Sequence, residues 1–112
     1  MADGVTDNGP GPERGPVTVG VPSETRPGER RVAATPATVT ALTRSGARVV
    51  VESGAGAESG FSDAAYADKG ATIGSRDDVF AADVVAAVRV LDGDPQSPDL
   101  QRLRAGQVVV GM

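Results

Sequence analysis

Five short apolar runs, most of them valine-rich, are separated by segments that read as helices and polar loops. They are Val17–Val21, Arg48–Glu52, Ala71–Ile73, Asp83–Leu91 and Gln107–Gly111. A strand with one wet face alternates apolar and polar residues. Runs such as Val49-Val50-Val51 do not alternate, so they are too apolar for an exposed edge and must be covered on both faces. Helices packed on both sides of a parallel sheet supply that cover.

The intervening segments carry helix punctuation. Thr35 followed by Pro36 supplies a capping hydroxyl and a proline at the first helical position. Over Pro36–Ser45, Val39 and Leu42 share one face, and Gly46 stands where a left-handed C-terminal cap is wanted. A second helix opens at Ser62, with Asp63 in its first turn and Phe61 and Tyr66 at the two positions of a hydrophobic staple. Lys69 falls in its last turn and Gly70 stops it. Ser75 and Asp78 have capping-box spacing, with Asp in place of Glu, ahead of Val79 and Phe80. Asp99–Arg104 reads as a helical turn carrying Leu100 and Leu103. Strand and connection alternate four times, which implies right-handed crossovers. The expected fold is α/β: a doubly wound, flavodoxin- or Rossmann-like parallel sheet of five strands in the order 3-2-1-4-5, forming a single half-domain.

Composition narrows the function classes. Only 3% of residues are aromatic against 39% hydrophobic, so the core must be built from Val, Ala, Leu and Ile. The net charge of -4, with arginines scattered along the chain, lacks the basic face of a nucleic-acid binder. Without Cys or His there is no thiol nucleophile and neither of the commonest base nor the commonest metal ligand. No apolar run approaches the roughly 20 residues that span a bilayer, and the first residues lack signal-peptide regions. A soluble, cytoplasmic setting with no direct membrane insertion is the expectation. Residues 1–16, rich in Gly, Pro and Asp, read as a disordered leader before a domain at 17–112.

Two loops invite a functional reading. Gly54-Ala55-Gly56-Ala57-Glu58-Ser59-Gly60 has GxGxxxG spacing, follows the second strand, and precedes a helix opened by an acid. A dinucleotide fingerprint needs GxGxxG on the first βα turn, and Asp63 would repel a pyrophosphate, so a tight structural turn is expected. Asp92, Asp94 and Asp99 do not meet a calcium-loop pattern and read as turn chemistry. No metal site and no catalytic residue is expected. The other loop, after the first strand, holds Glu24, Arg26, Glu29, Arg30 and Arg31. Arg30 reads as a solvated cation with Glu24 or Glu29 as its partner.

The wording GVPSETRPGERRVAATP, with VVVESGAG and GFSDAAYADKGATI after it, resembles the N-terminal domain shared by alanine dehydrogenases and proton-translocating NAD(P) transhydrogenase alpha subunits. The resemblance runs from about Val17 to Met112 and is nearer the transhydrogenases in RPGE, RVAATP and VESGAG. It implies that Arg31, in the RVA pattern, is a substrate-binding or interdomain residue: alanine dehydrogenases hold the substrate carboxylate there. Those enzymes also place a lysine, in a K-V-K-E-P context, where this chain has Val88-Arg89-Val90-Leu91. An arginine does not deprotonate at useful pH, which weakens the amino-acid dehydrogenase reading. The resemblance further implies a fragment, with NAD and NADP as cofactors of the complete enzyme and none bound here. The implied partners are an NAD-binding domain, a membrane or beta subunit, and a second full alpha subunit in a homodimer.

Overall fold

A computed structural model describes residues 16–89 and 96–111. Apart from Pro16, the expected leader lies outside the described residues, as do Asp92 and Asp94. β1 (Thr18–Val21), β2 (Arg48–Glu52), β3 (Thr72–Gly74), β4 (Val84–Ala87) and β5 (Val108–Gly111) form one sheet in the order β3-β2-β1-β4-β5, all neighbours parallel. This is the strand order expected from the sequence. The helices are α1 (Pro36–Arg44), α2 (Asp63–Asp68) and α3 (Arg76–Phe80), with 3₁₀ turns at Ala57–Ser59 and Pro98–Arg102.

The caps form as the sequence indicates. Thr35, Ser62 and Ser75 each accept a main-chain N–H from the third residue on, and Ser75 with Asp78 closes a capping box. Gly46, at φ +98°, takes the left-handed turn after α1. The Phe61 and Tyr66 rings meet edge to face at 6.2 Å, as a staple requires. Strand bounds differ more. β3 begins at Thr72 because the Ala71 N–H turns back to the Tyr66 carbonyl and closes α2. β4 ends at Ala87, not Leu91, because the next two N–H groups leave the ladder for a side chain described below.

Alternation along β2 divides the core. Val49 and Val51 face α1 and α2, in a cluster with Val21, Ala34, Val39 and Tyr66. Val50 faces the opposite side, where Val79, Phe80 and Val85 pack with Leu103. On that side α3 lies directly on β1. A Cβ at Gly20 would stand 2.1 Å from the Val79 carbonyl oxygen, so only glycine lets helix and strand approach this closely. Tyr66 is fully buried, and its hydroxyl donates to the Ala34 carbonyl at 2.7 Å.

The sheet is covered unevenly. Every residue of β5 is exposed, and Val108, Val109 and Val110 are among the large apolar side chains that the described residues leave in water. An uncovered, uncharged edge strand is a template for pairing with another chain. The chain is therefore expected to self-associate at micromolar concentration. Val110→Lys should suppress this while changing folding stability by less than about 1 kcal/mol. Val109 is the poorer position to substitute, since it lines a small cavity with Phe80 and Leu103. Sedimentation of the two proteins checks this; a monomeric wild-type chain would contradict it.

Candidate functional site

In a doubly wound sheet the crevice for ligands opens where the chain's winding reverses, outside the carboxyl ends of the strands. Here that place is between β1 and β4. The two strands pair only at Val19 with Val84 and Gly20 with Val85, whereas β1 and β2 stay in register along all of β1. Beyond Gly20 the strands part. Pro22 offers no N–H to continue the ladder, and the Glu24 carboxylate spans the gap instead. Its Oε2 accepts the Val88 N–H at 2.9 Å and its Oε1 the Arg89 N–H at 3.0 Å. These two bonds end β4 and tie the charged loop after β1 across the crevice. The space left beneath them is about 10 Å³, lined by Pro22, Glu24, Arg76, Phe80, Arg89 and Leu103 among others. That is room for one water at most.

The charged loop lies over this split. Glu29 accepts the Arg31 Nε at 2.8 Å and main-chain N–H at 3.1 Å on Oε2, and the Arg31 Nη2 at 2.9 Å on Oε1. Arg89 Nε donates to the same Oε1 at 2.9 Å. The structure thus brings together Arg31 and Arg89, the two positions to which the sequence drew attention, and it does so through one carboxylate. The Glu29 side chain is only 5% exposed under these two cations, while that of Arg31 is 66% exposed. Hydrogen bonds from the Arg31 guanidinium, then from its main chain, hold the Glu29 carboxyl down to about 2. The same contact raises Arg31 above its ordinary value. Arg30, expected to pair with Glu24 or Glu29, pairs with Glu58 at 3.5 Å, because both of those carboxylates are engaged elsewhere. Two side chains this exposed gain little from the contact.

A second network supports the loop from below. Arg76, at the start of α3, donates from Nε to Asp99 Oδ1 at 2.8 Å. Its Nη1 donates to Glu52 Oε1 at 2.8 Å and to the Ser23 carbonyl at 2.9 Å. Glu52 Oε1 also accepts the Ser23 N–H at 2.8 Å, so the residue before Glu24 is fixed through both of its main-chain polar groups. The Arg76 guanidinium stacks over the Phe80 ring at 5.2 Å. Its hydrogen bonds hold Asp99 below the usual carboxylate range, opposed by burial. Asp99 is therefore a buried ion-pair partner and not part of an acidic surface turn. Nothing in the sequence marks this network beyond the presence of its charges, whose partners lie 23 residues and more away in the chain. Among the described residues no group of three metal-ligating side chains occurs.

The glycine-rich loop has a packing account. Gly54 and Gly60 hold positive φ, and a Cβ at Gly56 would strike the Tyr66 ring at 2.5 Å. Asp63 accepts the Gly54 N–H at 2.8 Å and the Ser53 hydroxyl at 2.7 Å. A carboxylate thus sits on a donor that a phosphate cradle would need, and those two bonds hold the Asp63 carboxyl below its ordinary 3.8.

These depressed carboxylates fix a pH response. Glu29, Asp63, Asp78 and Asp99 all have lower values folded than free, so their contributions are present above pH 4–5 and are lost as pH falls through the folded values. Glu29 should titrate near 2, well below its ordinary 4.5. Arg31→Leu should move it upward, since its largest partner is gone. Carboxyl-carbon NMR titration of both proteins checks this; an unmoved Glu29 would show that Arg31 is not its main partner.

Comparison with known proteins identifies the setting. Residues 20–112 match the family described as alanine dehydrogenase/PNT, N-terminal domain. Alanine dehydrogenase of Mycobacterium tuberculosis is 42% identical over 93 residues, which are 81% of this chain and 24% of that protein. NAD(P) transhydrogenase subunit alpha of Cereibacter sphaeroides is 42% identical over 94 residues, 82% of this chain and 17% of that protein. Among solved structures, a transhydrogenase from Sinorhizobium meliloti superposes with a TM-score of 0.76 at 36% identity, covering 84% of this chain and 27% of the other. An L-alanine dehydrogenase superposes at 0.78 with 28% identity, covering 85% of this chain and 26% of its own length. The chain thus spans about a quarter or less of the relatives it matches. Its sequence and its sheet make it a member of the alanine dehydrogenase/transhydrogenase N-terminal domain family.

Proposed function

We propose that this chain is the N-terminal part of an NAD(P) transhydrogenase alpha subunit, residues 17–112 forming the domain. In the complete complex that subunit would pass hydride between NAD(H) and NADP(H), coupled to proton translocation. It would work beside its own NAD-binding domain, a membrane or beta subunit and a second alpha subunit, on the cytoplasmic side of the membrane. The observation that carries this reading is Arg89. It follows β4 at the place where the resemblance puts the lysine of an amino-acid dehydrogenase, and it is ion-paired with Glu29. A guanidinium there can hold an anion but cannot take up and release a proton. Arg31 keeps its carboxylate-binding chemistry and would receive a carboxylate from the adjoining domain.

The second reading is an N-terminal part of an alanine dehydrogenase, which would deaminate L-alanine with NAD. It is favoured by the identity to the mycobacterial enzyme, equal to that with the transhydrogenase subunit. On that reading Arg31 would hold the substrate carboxylate. The DNA following the Met112 codon discriminates. A continuing frame or a neighbouring gene with GxGxxG and membrane spans supports the transhydrogenase. A histidine shortly after β5 in a continuing frame without spans supports the dehydrogenase.

On either reading the chain alone is inactive. NAD(H) is expected to bind no tighter than millimolar, since the Gly54 N–H is already taken by Asp63 and the helix after the glycine-rich loop opens with that acid, which would repel a phosphate. Calorimetric titration checks this; a micromolar constant would overturn it and direct attention to the glycine-rich loop.

A further inference from the structure

The Glu29 carboxylate has about four lone-pair positions, and four N–H groups occupy them: two on Oε2 and two on Oε1. It has no capacity left for a ligand. Arg31, in contrast, is only partly used. A guanidinium carries five N–H donors and can present a two-point edge either through Nε and one Nη or through both Nη atoms. Glu29 takes the Nε–Nη2 edge. The Nη1–Nη2 edge makes no bond to another described residue, and the side chain is two-thirds exposed. Arg89 is held in turn by the same oxygen and, through its main-chain N–H, by Glu24. Both cations beside the β1–β4 split are therefore fixed before any ligand arrives.

We infer that Glu29 is the positioning residue of this site: it holds Arg31 by one edge so that the Nη1–Nη2 edge faces outward to receive a carboxylate. The inference rests on Arg31 being the carboxylate-binding residue, as proposed above. An arginine free to rotate loses side-chain freedom when it binds, and one already clamped does not. Glu29 and an incoming carboxylate would occupy different edges of one planar group, so the two do not compete.

The competing account treats Glu29 as a neutralising counter-ion, and the sign of one substitution separates the two. Removing a negative charge beside Arg31 and Arg89 should tighten anion binding if only charge matters. If Glu29 positions Arg31, the same change should weaken binding despite the gain in net positive charge. The full 112-residue chain, ¹⁵N-labelled, would be titrated with sodium pyruvate and separately with sodium acetate, following the Arg31 side-chain Nε–H signal. The wild-type protein is expected to bind in about the millimolar range. Glu29→Gln should weaken it about tenfold, the order that freeing one arginine side chain allows. Glu29→Asp keeps the charge but is one methylene shorter, and it should also weaken binding. This second variant carries the test if Glu29→Gln does not fold. Arg31→Lys should abolish saturable binding. Equal or tighter binding by the Glu29 variants, with Arg31→Lys still inactive, overturns the positioning role and leaves Arg31 as the binding residue. No saturable response in the wild type, or one that survives Arg31→Lys, overturns the reading of Arg31 and this inference with it. When the Glu29 variants do weaken binding, the two anions identify the source of the carboxylate. Tighter binding of pyruvate than of acetate indicates a small oxo acid, and equal binding indicates a bare carboxylate such as an Asp or Glu side chain presents.

Discussion

Glu24 replaces a missing piece of sheet. Where β1 and β4 part after two register pairs, their ladder would leave main-chain N–H groups without partners. One carboxylate takes two of them, and hydrogen bonds to a charged acceptor are about twice as strong as neutral ones. The rest of the region depends on that substitution. It sets the end of β4, which places Arg89 just beyond the strand and within reach of Glu29. Glu29 then aims Arg31. Below it, Arg76 and Glu52 hold both main-chain groups of Ser23, so Glu24 starts from a fixed point. The chain of contacts from Asp99 through Arg76, Ser23, Glu24, Arg89 and Glu29 to Arg31 alternates in charge except at Ser23, and it passes through the main chain both there and at the Arg89 N–H.

The alternation explains how so many charges can gather near the carboxyl ends of β1, β2, β3 and β4. Each cation that loses water has carboxylates on it, and each carboxylate is met by more than one donor. Arg76 illustrates the balance. Burial works against its charged form, but its bonds to Asp99 and the nearness of Glu52 outweigh this and raise it above its ordinary value.

What could be read from the sequence was local or periodic. The caps at Thr35, Ser62 and Ser75 are decided within three residues, and valine runs without alternation indicate a parallel sheet. The repeated strand-to-helix connections indicate right-handed crossovers and a doubly wound sheet. The site was legible only where a family pattern marked Arg31 and, by its departure from that pattern, Arg89. The links between them were not legible, because Glu24 reaches N–H groups 64 and 65 residues away and Arg89 meets Glu29 across 60. A carboxylate in a loop carries no periodicity, and its partner is chosen by the fold. Asp99 shows the same thing: in sequence it sits with Asp92 and Asp94, and in space with Arg76. Arg30 pairs with Glu58 and not with the nearby Glu29, because sequence nearness does not show that Glu29 is already saturated.

The chain has one tyrosine and no tryptophan. That tyrosine, Tyr66, is fully enclosed, stacked edge-on against Phe61 and hydrogen-bonded to Ala34 in the segment between the charged loop and α1. Its ultraviolet emission is therefore a native, unlabelled reporter of whether α2 is docked on that segment. The same signal is nearly blind to the other face of the sheet, where Phe80 is the only ring among the described residues. Emission and backbone dichroism followed together would show whether the two faces come apart as one unit or in succession.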